Sequence, residues 1–547
     1  MEGLMMQQPL IVSSLLVHAE RHHGEQEIVS KRIEGDIHRY RFADLARRAR
    51  RMANALVTLG ICPGDRVGTL AWNGYRHMEL YYAVSGSGAV LHTLNPRLHL
   101  DQIVYMVEHA DDRVIFFDLD MLPIVRELAA RIGSGRIFVA MTDRERMSSM
   151  LPLLAGVLCY EDLIEAHGDR FEWPRLDENE AASLCYTSGT TGHPKGVLYS
   201  HRSTLLHTFA VALPDALNCS ARDTILPVVP MFHVNAWGLP YVACMVGAKL
   251  VFPGASLKGR ELYELIEAEG VTLSAGVPTV WQGLLAHVNA ERLEFSSMRR
   301  TVIGGAACSP AVIAEFEQVH RVEVLHAWGM TELSPLGTIA TLKPRHVSAG
   351  PEVQVAVKSK QGRAVFGVDM KIVGDDGDEL PWDGHSTGEL MVRGLWTVDA
   401  YFRGTDSRPH IDGWFPTGDI AKIDSDGFMQ ITDRAKDVIK SGGEWISSVE
   451  IENVASRHPD VATAVCIAAR HPKWDERPLL LIVRKNGDAL TEAGMLSFFD
   501  GKIARWSRPD AVVFIESVPL GATGKILKHK LREQFSEYLL KQHACAH

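Results

Sequence analysis

Eleven consecutive residues, Tyr186-Thr187-Ser188-Gly189-Thr190-Thr191-Gly192-His193-Pro194-Lys195-Gly196, hold the most specific chemistry in this chain. Four Ser/Thr residues, three glycines and one lysine stand within that stretch. Glycines let backbone N–H groups turn inward and approach an anion closely, and Ser and Thr add side-chain donors. Lys195 adds a positive charge suited to terminal phosphates. The order differs from a Walker A loop, which needs Gly-Lys-Ser/Thr. By composition alone the stretch reads either as a phosphate cradle or as a polar surface loop.

Other stretches carry residue types that a nucleotide or an acid could use. Pro230-Met231-Phe232-His233-Val234-Asn235-Ala236-Trp237 sets a histidine among aromatics; taken alone, His233 and Trp237 read as core residues. Gly304-Gly305-Ala306-Ala307 would let a flat ligand lie against backbone. Glu332, in Trp328-Gly329-Met330-Thr331-Glu332, could hold a hard cation, which takes oxygen ligands. Asp419, in Trp414-Phe415-Pro416-Thr417-Gly418-Asp419, offers two acceptor oxygens that match a vicinal diol. Taken singly, these acids read as solvated groups in polar turns. The same holds for Lys525 in Pro519-Leu520-Gly521-Ala522-Thr523-Gly524-Lys525-Ile526.

As a set and in this order, the motifs closely resemble those of the adenylate-forming enzymes: acyl-CoA synthetases, nonribosomal adenylation domains and firefly luciferase. The resemblance spans nearly the whole chain. It implies that Thr187, Ser188, Gly189, Thr190, Thr191, Gly192 and Lys195 hold the phosphates of ATP. Gly304, Gly305 and Ala306 would border the adenine, and Trp328 would cover its face where tyrosine is more usual. Gly329, Met330 and Thr331 complete that wall, with Thr331 near the α-phosphate. Glu332 and Thr187 would hold Mg²⁺. Asp419 and Arg434 would contact the ribose. His233 would sit beside the reacting carboxylate, Trp237 would gate an acyl tunnel, and Lys525 would be the catalytic lysine. Lys436 corresponds to a hinge. The stretch Lys440-Ser441-Gly442-Gly443-Glu444-Trp445 corresponds to a loop that turns toward the coenzyme A tunnel. Ser200-His201-Arg202-Ser203 and the stretch from Ser441 to Ser447 are most similar to medium- and long-chain fatty acyl-CoA synthetases, with bacterial medium-chain ligases nearest. Short sulfur-containing acids such as methylmercaptopropionate, and long-chain acids, are alternative substrates. Val277 and Gly337 are further candidates for setting tunnel depth.

These groups need a scaffold. Residues 42–59 predict a helix, with Leu45, Ala49, Met52 and Leu56 at helical spacing. Residues 66–72, 114–118 and 136–141 read as buried strands, and so do 249–252, 272–276, 301–304 and 323–326. Helical patterns such as 124–132, 259–269 and 310–320 separate them. That alternation predicts a layered α/β architecture with parallel sheets. Beyond about residue 363, short strands at 367–373, 388–392 and 428–432 predict a β-rich subdomain. Residues 433–437 read as an interdomain linker. Residues 438–547 read mainly α–β–β–α–β, a small mobile C-terminal lid on the large domain of residues 1–432.

At 547 residues with 46% hydrophobic content, the chain is too long for one core. A net charge of −10 argues against a nucleic-acid partner. Eight scattered cysteines, none at CxxC spacing, fit a reducing cytoplasm rather than a zinc site or disulfide framework. Residues 10–20 read as an amphipathic helix rather than a signal peptide, and no run is long enough for a transmembrane helix. The expected small-molecule partners are a carboxylic acid, ATP and CoA, and a homodimer follows from family likeness. A Rossmann dehydrogenase fails on spacing, because Leu91 stands where the third glycine after Gly86 and Gly88 would be. A nonribosomal module would normally feed a carrier domain, yet the chain ends about twenty residues after Lys525. A luciferase-like oxygenase shares most of the motifs, and a non-catalytic nucleotide-binding protein is disfavoured because every expected catalytic position is filled.

Overall fold

The helix expected at residues 42–59 forms over Phe42–Thr58, and its apolar stripe (Phe42, Leu45, Ala49, Met52, Leu56) is fully buried. The Asp44 carboxylate accepts the Arg41 backbone N–H and satisfies one orphan donor of its first turn. This is a computed structural model of the chain. It describes residues 1, 3–148, 152–187, 193–404, 409–434, 439–441, 444–485, 490–521 and 526–545; Lys440, Glu444, Trp445 and 543–545 are described by backbone alone.

Two large sheets carry the N-terminal part. The seven-stranded sheet runs in the order Leu158–Cys159, Ile137–Ala140, Asp112–Phe117, Arg66–Leu70, Val90–Thr93, Ala181–Tyr186, Gly196–Ser200. The nine-stranded sheet runs Arg363–Ala364, Leu336–Ile339, Glu323–Gly329, Arg300–Ile303, Leu273–Gly276, Thr224–Pro227, Lys249–Phe252, Glu27–Lys31, Ile37–Arg41. One apolar core fills the space between them. Val67, Leu91 and Val114 come from one sheet, Ile225, Leu250 and Val302 from the other. Helices Val12–His23, Phe42–Thr58, Tyr75–Gly86, His201–Ala212 and Leu239–Val246 lie in that layer, and the middle one is buried along its whole length.

The sheets differ from a purely parallel reading. Each is parallel through its centre but has antiparallel edges: Ala181–Tyr186 pairs antiparallel with Gly196–Ser200, and Glu323–Gly329 with Leu336–Ile339. The phosphate-loop candidate is therefore the connection of a hairpin. The strand expected at 66–72 stops at Leu70, because the Trp72 N–H turns to the Asp118 carboxylate at 2.8 Å. The helix expected at 310–320 is α-helical only over Pro310–Ala314 and widens into a π-turn over Glu315–Val319. No helix of the described residues is long and apolar enough to cross a membrane.

Strands Val368–Val373, Gly388–Gly394, Phe415–Ile423 and Met429–Arg434 form the β-rich subdomain as an antiparallel sheet. Its last strand takes in Asp433 and Arg434, which the sequence assigned to the linker, because the ladder continues through Ile420↔Asp433 and Asp419↔Arg434. The C-terminal part has cores of its own. A long hairpin, Val461–His471 with Asp475–Arg484, carries Ala511–Phe514 in parallel. Helices Ser448–Ala455 and Glu492–Phe498 pack on one face; Lys528–Phe535 and Tyr538–Cys545 pack on the other. Helix Glu492–Phe498 stops short of Gly501, which takes a φ of 71°.

Buried Asn73 ties the two large sheets together. Its Nδ2 donates to the carbonyls of Pro227 (2.7 Å) and Val229 (2.9 Å), and its Oδ1 accepts the Met231 N–H at 2.7 Å. It thereby fixes the exit of strand Thr224–Pro227, which leads directly into His233. Removing it strands three buried backbone groups. Asn73→Ala should lower unfolding stability by about 3 kcal/mol, measured by urea denaturation. An unchanged midpoint would refute this role.

Candidate active site

The hairpin that carries the phosphate-loop motif closes through Thr187 N–H to the Lys195 carbonyl at 2.9 Å. Its base is braced. The Tyr186 hydroxyl and His109 Nδ1 lie 2.7 Å apart, and His193 stacks on Tyr105 at 4.3 Å. Gly196 is needed for packing, since a Cβ there would meet Leu184, Tyr186 and Phe402 at 3.2 Å. Ser188, Gly189, Thr190, Thr191 and Gly192 lie outside the described residues.

The nine-stranded sheet supplies the opposite wall. Strand Glu323–Gly329 runs three residues past the expected 323–326 and delivers Trp328 and Gly329; a single 3-10 turn, Thr331–Leu333, follows. Gly329 admits no side chain, because a Cβ would meet the Pro335 carbonyl oxygen at 2.0 Å. Glu332 is buried, and burial pushes its carboxyl above the ordinary range; the Tyr401 hydroxyl opposes that by donating to Oε1 at 2.8 Å. Lys195 Nζ lies 4.8 Å from the centroid of the Tyr401 ring. One tyrosine thus connects the lysine of one sheet to the carboxylate of the other. Nothing in the local sequence Asp399-Ala400-Tyr401-Phe402 marks Tyr401, since no motif surrounds it.

Pro230 to Gly238 takes a conformation that the sequence also hides. Val234, Asn235, Ala236 and Trp237 all have φ between 47° and 56°, and Gly238 continues at 79°. Buried Asn235 holds this left-handed turn. Its Nδ2 donates to Ser183 Oγ at 2.9 Å, and its Oδ1 accepts weakly from Tyr81 at 3.4 Å and from the Cys185 thiol at 3.5 Å. Tyr81 also donates to the Met231 carbonyl at 2.5 Å. The turn lays the Trp237 indole against Gly304, where a Cβ would meet its Cη2 at 3.2 Å.

These parts surround one cavity of about 880 Å³. Of the sequence candidates, Thr187, Lys195, His233, Trp237, Gly304, Gly305, Trp328, Gly329, Met330, Thr331, Glu332 and Arg434 line it. Its lining also includes the apolar residues Val211, Leu217, Val302, Ala327, Pro335 and Leu336. Arg97 stands at the cavity wall with its guanidinium 5.3 Å from the Trp72 ring and 5.8 Å from the Phe232 ring. Leu520, Gly521 and Ile526 also line the cavity, flanking residues 522–525 on both sides. Lys525 itself lies outside the described residues, as do Lys436, Gly442 and Gly443.

The other described candidates stand elsewhere. Val277 is the N-cap of helix Pro278–Glu291 and does not line the cavity; Trp281 of that helix fills the space beside Gly276. Gly337 packs behind Trp328 rather than on the cavity wall. Ala306 is exposed, just past Gly305. Asp419 is buried behind the wall, its Oδ2 accepting the Trp328 indole N–H at 2.9 Å and its Oδ1 2.7 Å from Arg434 Nε. Lys440 pairs with Trp445, and Ser441 with Glu444, in a short backbone hairpin.

A cavity lined by both phosphate-type donors and apolar side chains suits a nucleotide joined to an apolar acid. Comparison with known proteins agrees with that geometry. Residues 16–402 match the AMP-binding enzyme family, and residues 450–525 match the AMP-binding enzyme C-terminal domain. A 3-methylmercaptopropionyl-CoA ligase of Ruegeria lacuscaerulensis is 54% identical over 98% of this chain and all of that protein. A medium-chain-fatty-acid–CoA ligase of Ectopseudomonas oleovorans is 52% identical over 99% of each chain. A long-chain-fatty-acid–CoA ligase of Thermus thermophilus is 42% identical over 98% of this chain and 97% of that one. In fold, ATP-bound MatB from Rhodopseudomonas palustris superposes with a TM-score of 0.82 at 24% identity, covering 97% of this chain and all of that one. With both of its domains matched in order and relatives above 50% identity along its length, this chain belongs to the AMP-binding enzyme family.

Proposed function

We propose that this protein is an ATP-dependent acid–CoA ligase for fatty acids, medium-chain ones foremost. The observation that carries the reading is the single cavity that joins Lys195, Glu332 and Trp328 to an apolar chamber walled by Val211, Leu217, Val302 and Leu336. An acyl chain gains roughly 0.8 kcal/mol per methylene buried there. In the first half-reaction a carboxylate oxygen attacks the α-phosphorus of ATP, the bridging P–O bond breaks, and pyrophosphate leaves with the electron pair. Lys195 steadies the terminal phosphates, and Trp328 covers the adenine. Lys525 neutralises charge growing at the α-phosphorus. Its place is supported by Leu520, Gly521 and Ile526, which line the cavity on either side of residues 522–525. Glu332 and Thr187 fit Mg²⁺, since one buried carboxylate and one hydroxyl share the cavity where phosphate oxygens and waters would complete the shell. Mg²⁺ bound there would offset phosphate charge.

In the second half-reaction the CoA thiolate attacks the acyl carbonyl, and AMP leaves. The C-terminal domain, residues 438–547, turns about Lys436, just beyond strand Met429–Arg434, withdraws Lys525 and brings Lys440, Gly442, Gly443, Glu444 and Trp445 to the pantetheine channel. Its separate cores support movement as a unit. His233 sits at the junction of chamber and nucleotide wall, next to the reacting carboxylate, and Trp237 closes the chamber. A cytoplasmic setting follows from the scattered cysteines of the sequence, and a homodimer from family likeness. A second reading, a short sulfur-containing acid, is favoured by the 54% identity to the methylmercaptopropionyl-CoA ligase.

Three measurements test this. AMP release across straight-chain acids from C2 to C18, with methylmercaptopropionate included, should peak at medium chains; a peak at methylmercaptopropionate would select the second reading, and no turnover of any acid would refute a ligase. Lys525→Ala should abolish pyrophosphate release while retaining ATP binding; adenylation at the wild-type rate would remove Lys525 from catalysis. Tyr401 donates to the charged form of Glu332 and so lowers its pKa. Tyr401→Phe should therefore shift the acid limb of the kcat/KM profile to higher pH. An unmoved limb would detach Tyr401 from that carboxylate.

A further inference from the structure

Trp328 does more in this chain than cover a ligand face. Its indole N–H reaches Asp419 Oδ2 at 2.9 Å, while Arg434 Nε holds Oδ1 at 2.7 Å. The Asp419 backbone N–H is in turn held by Thr417 Oγ1 at 3.1 Å. Held at Oδ2 by the indole N–H and at Oδ1 by Arg434, the carboxylate has its rotation about the terminal bond set by these two donors.

The indole is itself seated. A Cβ on Gly337 would stand 2.5 and 2.7 Å from Cζ3 and Cε3 of Trp328. Gly337 lies on strand Leu336–Ile339, where the pairing with Glu323–Gly329 shifts register between Trp328 and Gly329. Any side chain at 337 must displace the six-membered ring, and the N–H at the other side of the indole moves with it.

We propose that Trp328 is the positioning residue for ribose recognition: its N–H aims the Asp419 carboxylate at the two hydroxyls of the nucleotide, and Gly337 is the space that lets it do so. This rests on the reading of Asp419 as the ribose acceptor. The consequence is selectivity. A carboxylate held flat against a vicinal diol loses one bond when the 2′-hydroxyl is absent. A carboxylate free to turn re-forms its best contact with the single hydroxyl left and discriminates less. Loss of aromatic cover, by contrast, weakens ATP and 2′-deoxy-ATP alike, because both carry the same base. The ratio of their kcat/KM values therefore isolates the indole N–H from stacking and from general damage to the wall.

The experiment measures that ratio with a saturating medium-chain acid and CoA for the wild type, Trp328→Phe, Gly337→Ala, the double variant and Asp419→Asn. Trp328→Phe should lower the preference for ATP over 2′-deoxy-ATP about tenfold, the size expected for a hydrogen bond to a charged group. Gly337→Ala should lower it likewise. The double variant should be no worse than Trp328→Phe, because both changes remove one interaction. A wild-type ratio in Trp328→Phe, with a lowered ratio in Asp419→Asn, overturns the proposal and leaves the ribose reading standing. A wild-type ratio in Asp419→Asn overturns the ribose reading and the proposal together. Should Trp328→Phe fail to fold, Gly337→Ala decides, and an unchanged ratio there overturns the proposal.

Discussion

The Tyr199 hydroxyl donates to the Thr331 carbonyl at 2.6 Å, and the active site depends on that contact. Tyr199 belongs to the edge hairpin of the seven-stranded sheet, Thr331 to the turn that leaves the nine-stranded sheet. Both edges are antiparallel, so each ends in a reversal that faces the other sheet. Phosphate donors come from one reversal, and the carboxylate and aromatic wall come from the other. Neither sheet alone could build the cavity. Tyr199 is fully buried, and burial drives its phenol well above the ordinary range, so it remains a donor throughout the working pH range. Asn73 makes the corresponding tie at another point where the two sheets meet.

Between these ties the chain carries strain. Four non-glycine residues in the left-handed region, at roughly 1–2 kcal/mol each, cost about 4–8 kcal/mol over Val234 to Trp237. Asn235 cannot offset that alone, with one good hydrogen bond and two long ones. The remainder comes from burial: Val234, Asn235 and Ala236 are all buried, and His207 packs where Gly238 lacks a side chain. Burial also pushes His207 down to about 3, so its ring is neutral and Nε2 accepts the Leu336 N–H at 3.2 Å. What the strain secures is the orientation of Trp237. An ordinary helical turn from His233 would send that side chain to a different face, and the boundary between nucleotide and acyl chamber would open.

Much of this was legible in the sequence because phosphate and metal chemistry demands particular residue types in particular local order. The loop at 186–196, the stretch 328–332 and Asp419 with Arg434 are local strings, and Thr187, Lys195, residues 328–332 and Arg434 meet at one cavity. The C-terminal α–β–β–α–β order was also legible, since its strands are apolar runs between turns. What sequence could not give was set by distant partners. Tyr401 matters through Glu332, 69 positions away, and Trp328 through Asp419, 91 positions away. Nothing local to either aromatic announces its partner. The hairpin nature of the phosphate loop was hidden because an apolar strand reads the same whether its neighbour runs parallel or antiparallel. Val277 and Gly337 were misplaced for the same reason: tunnel depth was assigned by position along the chain, while the wall is chosen by packing. A run of positive φ at Val, Asn, Ala and Trp contradicts local propensity outright, and only the tertiary frame explains it.

The apolar chamber and the charged wall also act on each other. The side chains that would shelter an acyl tail lower the local dielectric around the junction, and the same burial raises the Glu332 carboxyl. In such surroundings each remaining interaction between charges is stronger than it would be in water. As the proposed metal ligand, Glu332 would have two competing demands: it must stay ionised to serve a cation, and it must be dry enough for that charge to count. Tyr401 reconciles them, because a neutral donor favours the carboxylate without bringing in a second full charge that would compete with the phosphates. A lysine at the same distance would hold Glu332 ionised more firmly, but it would form a closed ion pair and withhold the carboxylate from the metal. Lys195 Nζ stands over the ring of Tyr401, within reach of the carboxylate's field and on the wall of the cavity. The aromatic spacer keeps cation and carboxylate apart, and both are left available for the triphosphate.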